Sequence, residues 1–170
     1  VILFLDTSAL VKLYVEEAGS ETVRGWVDVA SEIACQWVAY VEARSALAAK
    51  WSLGDLSDAE LAECKKELEW DWECYHRVVV TQPLLRRAGA LSEQLGVRAY
   101  DSVHLAGAEY LQSSLGVPIT FGSFDRRQAD AAARLGMLIA PVDDDSDPSN
   151  DQSAGNSQPP TSPPTKGQPP

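Results

Sequence analysis

Four acidic residues stand where carboxylate chemistry is possible: Asp6, Glu42, Asp101 and Asp125. Carboxylates crowded into one place repel and cannot all ionise unless a divalent cation sits among them, and oxygen-only ligation selects Mg²⁺ or Mn²⁺ over Zn²⁺. Such a site suits phosphodiester hydrolysis, in which metal activates a water and stabilises charge on the phosphoryl and leaving oxygens. Each aspartate also has a plainer reading, because Asp just before a helix is a good N-cap and a favourable charge at the positive end of the dipole. The run Asp125-Arg126-Arg127-Gln128 even resembles a capping box. Glu42 resists that reading. It falls in mid-helix with Val38, Ala39, Ser45, Ala46 and Ala49 as its helical neighbours, which reads as an inward face. A lone buried carboxylate is costly unless neutralised or paired, and no Lys or Arg lies on this face within one turn, so a distant Arg or a metal is required.

Other chemistries lack their residues. His76 and His104 are the only histidines, and neither completes a zinc site or a nucleophile triad. His104, three residues after Asp101, reads as a packed helix-face histidine with a place beside the site as the alternative. There is no glycine-rich phosphate loop and no G-x-S-x-G elbow. Leu5-Asp6-Thr7-Ser8 does not match the haloacid-dehalogenase phosphatase pattern, since Ser8 stands where a second Asp belongs. Cys35, Cys64 and Cys74 are odd in number without C-x-x-C spacing, and read as reduced, buried thiols of a cytosolic protein.

The acids must be positioned by an alternation of strands and helices. Val1 to Leu5 is an uninterrupted apolar run, as expected of a central parallel strand buried on both faces. Asp6-Thr7-Ser8 opens a helix expected to reach Glu17, and Gly19-Ser20 restarts one to about Ala30. A strand near residues 33–36 leads into a long helix over 38–53 closed by Gly54. Ser57-Asp58-Ala59-Glu60 is a capping box for an amphipathic helix carrying Leu61, Cys64, Leu68, Trp72 and Tyr75. Residues 78–81 read as strand, Leu84 to Leu95 as a helix ended by Gly96, and Asp101 to about Leu115 as another. Residues 117–121 read as strand, 125–135 as helix and 137–140 as a last strand. This pattern predicts a three-layer α/β/α sandwich on a mostly parallel central sheet. In such sheets ligands bind at the carboxyl ends of the strands, where Asp6 and Asp125 fall.

Composition bounds the folded unit. Residues 143–170 contain no large apolar side chain and hold seven of the ten prolines, so they cannot offset the entropy of ordering and read as a disordered acidic tail, leaving a domain over 1–142. Of the net charge of −11, the tail accounts for −4 (five Asp against Lys166) and residues 1–142 for −7. An acidic domain argues against coating nucleic acid through a broad basic face. No apolar run is long enough to span a membrane, since Val1 to Leu5 is interrupted at once by Asp6.

The residues resemble the PIN-domain family, most closely the toxin ribonucleases of VapBC-type toxin–antitoxin pairs, across essentially all of 1–140. Leu5-Asp6-Thr7-Ser8-Ala9-Leu10-Val11-Lys12 is similar to the family's first acidic motif and Val41-Glu42-Ala43-Arg44-Ser45-Ala46-Leu47 to its second. Arg98-Ala99-Tyr100-Asp101-Ser102-Val103-His104-Leu105-Ala106 is similar to the third, and Thr120-Phe121-Gly122-Ser123-Phe124-Asp125-Arg126-Arg127 to the fourth. The resemblance implies that Asp6, Glu42, Asp101 and Asp125 bind Mg²⁺ or Mn²⁺ and that Thr7 or Ser8 and Ser123 support them. It further implies cleavage of single-stranded or loop RNA to 3′-hydroxyl and 5′-phosphate ends, a homodimer, and a small antitoxin partner in the cytoplasm. One departure is Ser123, where the family often has Thr; the hydroxyl is kept. Lys12, Arg98, Arg126 and Arg127 flank the motifs and are candidates for RNA phosphates, against ordinary solvated charge. Tyr40, Arg44, Leu47 and Trp51 form a stripe on the long helix that fits either a partner surface or core packing. The competing readings are a housekeeping nuclease of RNA processing and a PIN-like domain that binds RNA or protein without cutting.

Overall fold

The computed structural model describes residues 1–142, so the expected tail over 143–170 lies outside the described residues. Five strands, β1 (Ile2–Leu5), β2 (Glu32–Gln36), β3 (His76–Val78), β4 (Thr120–Gly122) and β5 (Leu138–Ile139), pair in the order β3-β2-β1-β4-β5. Every pair is parallel, so the sheet expected to be mostly parallel is wholly so among the described residues. The chain starts at the centre, builds outward through β2 and β3, then crosses back to lay β4 on the other side of β1. That reversal leaves a crevice at the carboxyl ends of β1 and β4, where open α/β sheets place their ligands.

Strand alternation divides two cores. Leu3 and Leu5 of β1 point into the layer formed by α1 (Thr7–Leu10), α2 (Ser20–Asp28), α3 (Val38–Leu53) and α4 (Asp58–Trp72). Phe4 points the other way, into α5 (Gln82–Leu95), α6 (Ala99–Leu115) and α7 (Arg126–Arg134). There it stacks on Phe121 of β4, ring centroids 5.8 Å apart. Both faces of β1 are thus apolar and covered, which is why its sequence is a continuous hydrophobic run.

Local signals fix several boundaries. Gly54 closes α3 in the left-handed region at φ 85°, and Ser57 with Glu60 forms a reciprocal capping box at the start of α4. Elsewhere tertiary structure moves the boundaries. The helix expected from Thr7 to Glu17 stops at Leu10 and continues only as a 3₁₀ turn over Val11–Leu13. Beyond it, the Lys12 ammonium donates to Glu17 and to the Ala18 carbonyl, holding the chain in a loop. Strand β3 ends at Val78 because Thr81 is taken as the N-cap of α5. Pro118, which has no N–H to give a ladder, precedes β4, which begins at Thr120. Helix α6 begins at Ala99 with Arg98 at its N-cap, so Asp101 lies inside the first turn and is not a cap.

The stripe on α3 meets α4. Tyr40 packs on Trp72 with ring centroids 5.2 Å apart, Arg44 pairs with Glu69 at 2.8 Å, and the Trp51 indole donates to Asp58 at 2.7 Å. Leu47 is fully buried. The buried line of α3 is Ala39, Ala43 and Leu47, whereas Ser45 and Ala49 are exposed and Glu42 is half-buried, so the face expected to point inward is only its margin. Cys35 and Cys64 are buried free thiols as expected, but Cys74 is exposed just past the end of α4. No helix among the described residues is long and apolar enough to cross a membrane.

Helix α6, which carries Asp101 and His104, lies close against β2. A Cβ at Gly107 would stand 2.6 Å from Nε2 of Gln36 and 3.5 Å from the Phe4 ring. Gln36 cannot easily yield, being fully buried with its Oε1 accepting the Trp37 N–H at 2.7 Å. Gly107→Ala is therefore expected to lower stability in urea denaturation by about 1–3 kcal/mol, the usual cost of overpacking. Gly25→Ala, within α2 and with open space around the position, should instead gain roughly 0.5–1 kcal/mol. Coincident midpoints for the two variants would show that α6 is not seated on Gln36.

Candidate active site

Asp6 is the first residue after β1. Its N–H donates to the Gly122 carbonyl at 3.0 Å, so the β1–β4 ladder runs on to the position where the chain turns into α1. It is also the N-cap of α1: Oδ1 accepts the Ala9 N–H at 2.9 Å. The Ser8 hydroxyl donates to the same carboxylate at 2.7 Å, and the Ser123 hydroxyl, from beyond β4, donates to Oδ2 at 2.7 Å. Ser8 and Ser123 in turn accept the N–H groups of Phe124 and Asp125 at 3.1 and 3.0 Å. The two serines thus sew the ends of β1 and β4 together around Asp6. None of these donors is a cation. Burial pushes the Asp6 carboxyl above the ordinary carboxylate range, and the charge of His104 with the bonds from Ser123, Ala9 and Ser8 does not bring it back.

Glu42 reaches the same edge from α3. Thr7 donates its hydroxyl to Glu42 Oε2 at 2.5 Å, and Nε2 of His104 stands 2.8 Å from that oxygen. Burial pushes the Glu42 carboxyl up, but the bonds from His104 and Thr7 and the charge of the imidazole outweigh it and hold Glu42 below its ordinary value. Where the sequence points to a distant Arg or a metal for Glu42, the structure instead sets His104 against it. His104 is packed, as its helix-face position implied, and it also belongs to the site. Its spacing of three from Asp101 places both on one face of α6, which is the signal that identifies it. Its Nδ1 is buried without a hydrogen-bond partner among the described residues.

Asp101 and Asp125 form the other half. Asp125 caps α7, accepting the N–H groups of Arg127 and Gln128 through Oδ1, while its Oδ2 accepts from Nη2 of Arg98 at 2.7 Å. Asp101 accepts from Nε of the same Arg98 at 2.8 Å. Gln128, read from the sequence as the far end of a capping box, is instead buried behind them with its amide on the Asp101 carbonyl at 3.3 Å, while the Asp125 N–H goes to Ser123.

The structure thus brings the four acids to the crevice: Glu42 is bonded by Thr7 and His104, Asp101 and Asp125 by Arg98, and Asp6 by Ser8 and Ser123, the latter also accepting the Asp125 N–H. Among the described residues, no three His, Cys, Asp or Glu side chains stand close enough together to hold an ion in the arrangement seen. The donors nonetheless fit a hard divalent cation. They are all carboxylate oxygens, their negative charge exceeds that of Arg98 and His104 together, and the most buried of them, Asp6, has no cation bonded to it.

Among the basic candidates for phosphate, Lys12 and Arg98 are bonded to acids. Lys12 is buried, bonded to Glu17 and Ala18 and seated 4.6 Å from the Phe124 ring centroid, so its ammonium is held by the fold. Arg98 faces the acids. Arg126 and Arg127 are exposed on an open cleft of about 790 Å³ that Thr7, Ser8, Asp101 and Asp125 also line.

Residues 3–134 match the PIN domain family. The chain is 32% identical over 142 residues to the protein named Ribonuclease VapC45 of Mycobacterium tuberculosis (strain CDC 1551 / Oshkosh), covering 83% of this chain and 96% of that one. Among solved structures it is similar to PAE2754 from Pyrobaculum aerophilum, with a TM-score of 0.56, 21% identity, and 82% of this chain and 84% of that chain covered. It is likewise similar to FitAcB from Neisseria gonorrhoeae, with a TM-score of 0.56, 16% identity, and coverage of 82% and 96%. At these identities the structural likenesses establish the three-layer fold.

The opposite shifts of Asp6 and Glu42 give opposite pH signatures. Asp6, raised above 3.8, costs stability once the folded carboxyl ionises, and the cost vanishes as pH falls toward that value. Glu42, lowered from 4.5, contributes stability above that value, lost as pH falls through its folded pKa. In chelator near neutral pH, Asp6→Asn should melt above wild type and Glu42→Gln below it, both differences closing in acid. Melting curves across pH test this; an Asp6→Asn variant less stable than wild type at every pH would reduce Asp6 to a cap.

Proposed function

Because the chain belongs to the PIN domain family, we propose that it is an endoribonuclease using Mg²⁺ or Mn²⁺ held by Asp6, Glu42, Asp101 and Asp125. The supporting observation is the gathering of these four carboxylates at the β1–β4 crevice, with the buried Asp6 bonded only to uncharged donors. The similarity to a protein named as a ribonuclease over most of both chains supports RNA as the substrate.

A divalent ion at such a site supplies an activated water and stabilises charge on the phosphoryl oxygens. The residues of the chain supply pre-organisation. Ser8, Ser123 and the Ala9 N–H fix both oxygens of Asp6, and Thr7 and His104 fix Glu42, so neither carboxylate must be ordered at the moment of reaction. Arg126 and Arg127, in the lining of the cleft, are the candidates for the substrate phosphates. The charge of −7 over residues 1–142 disfavours indiscriminate coating of RNA and favours an exposed loop or single strand.

In the biological reading, the chain is the cytoplasmic toxin of a toxin–antitoxin pair, working as a homodimer and restrained by a small antitoxin. This rests on the four motifs resembling VapBC-type toxins and on the name of the relative. Expressed alone in a bacterium, wild type should slow growth and generate discrete RNA fragments, whereas Asp6→Asn at equal soluble level should do neither. Purified protein should cut RNA with Mg²⁺ or Mn²⁺ and stop with chelator. Arrest undiminished by Asp6→Asn would replace cleavage with sequestration; cleavage in the tube without arrest would favour the housekeeping nuclease. A chain ending at Val142 should keep both melting temperature and nuclease activity, and a fall of several degrees would show that residues 143–170 belong to the folded unit.

A further inference from the structure

We infer that Arg98 is the resident counter-cation of the acidic crevice: it holds Asp101 and Asp125 in the metal-free protein and leaves them when a divalent cation binds. The inference rests on the metal site proposed above. One edge of its guanidinium serves two different carboxylates, Nε on Asp101 at 2.8 Å and Nη2 on Asp125 at 2.7 Å. A structural arginine paired for stability would ordinarily turn both donors of an edge on one carboxylate. Arg98 instead spans two acids that repel each other, which is the position of a charge compensator.

Exposure is distributed the same way. The Arg98 side chain is 76% exposed, against 19% for Asp101 and 27% for Asp125, so the guanidinium covers the acids from the solvent side. Its backbone is extended at φ −68° and ψ 160°, one residue before α6, with no side-chain cap bond to the helix. Swinging the side chain outward therefore disturbs neither a buried contact nor a helical hydrogen bond. The compensation is also incomplete, since one positive charge faces two negative ones and Asp6 is left to uncharged donors.

Two consequences follow that a purely structural arginine would not have. Divalent-ion binding must compete with Arg98, so removing its charge should tighten that binding even as it loosens the metal-free protein. Once released, Arg98 stands at the mouth of the crevice beside Arg126 and Arg127 with a planar fork suited to a phosphodiester.

The test is calorimetric titration of the full chain with Mn²⁺ in the absence of RNA, comparing wild type, Arg98→Gln and Arg98→Lys. Arg98→Gln should bind Mn²⁺ roughly three- to tenfold more tightly, the range expected for losing two solvent-exposed ion pairs, and should melt lower in chelator. Arg98→Lys, which keeps the charge, should stay near wild type in Mn²⁺ affinity, and this variant guards against a folding defect in the other. Binding by Arg98→Gln that is equal to or weaker than wild type overturns the inference and makes Arg98 a strut for Asp101 and Asp125, leaving the metal site standing. Failure of all three proteins to bind Mn²⁺ overturns the metal site and this inference with it. Tight binding by Arg98→Gln alone would show an arginine that excludes the ion and does not leave, and overturns the inference.

Discussion

Negative charge brought together at one edge of a sheet must be compensated, and most of the side-chain arrangement around this crevice answers that requirement. Asp6 is met by hydroxyl and amide dipoles, Glu42 by Thr7 and His104, Asp101 and Asp125 by Arg98. These are three different solutions. The fully buried Asp6 receives uncharged donors, and the three half-buried acids receive an imidazole, at Glu42, or a guanidinium, at Asp101 and Asp125. Burying a mobile cation at Asp6 would have added a second desolvation cost. The result is a set of carboxylates fixed in place yet short of positive charge.

The wholly parallel sheet makes this assembly possible. With β1 central and β4 laid beside it after the crossover, residues more than a hundred positions apart in the chain, Asp6 and Ser123, end on adjacent strands at the same level. Helices α1 and α7 then begin at the crevice and present their N-terminal dipoles to it, so capping and metal-binding readings of Asp6 and Asp125 are complementary. An aspartate that accepts helix N–H groups through one oxygen keeps the other for a neighbour, as Asp125 does for Arg98. Asp101 differs, because α6 begins before it and the residue lies free of capping inside the first turn.

Basic residues are used sparingly on the outside. Lys12 and Lys50 are both drawn to Glu17, Arg44 to Glu69 and Arg87 to Glu109, so much of the positive charge is consumed within the fold. Arg126 and Arg127 line the cleft, together with Arg98. A nuclease built this way holds nucleic acid chiefly at the point of reaction and not along an extended basic track, in keeping with the net charge of −11.

The sequence by itself determined the class of fold, because an apolar run buried on both faces followed by alternating helical and strand periods admits few alternatives to a parallel sheet between helices. It also singled out four candidate acids, through four short motifs in family order, and determined the local stops at Gly54, Gly96 and the Ser57–Glu60 box, where the information lies within a few residues. Tertiary structure decided the rest. His104 as the partner of Glu42, Lys12 as an internal strut, the α3 stripe as a seat for α4, and Arg98 as the cation between Asp101 and Asp125 are contacts between distant segments. No local period encodes them. A side chain's charge is written in the sequence, but whether that charge faces solvent, a substrate or another residue depends on which surfaces the fold brings together, and that is settled by packing two cores against one sheet.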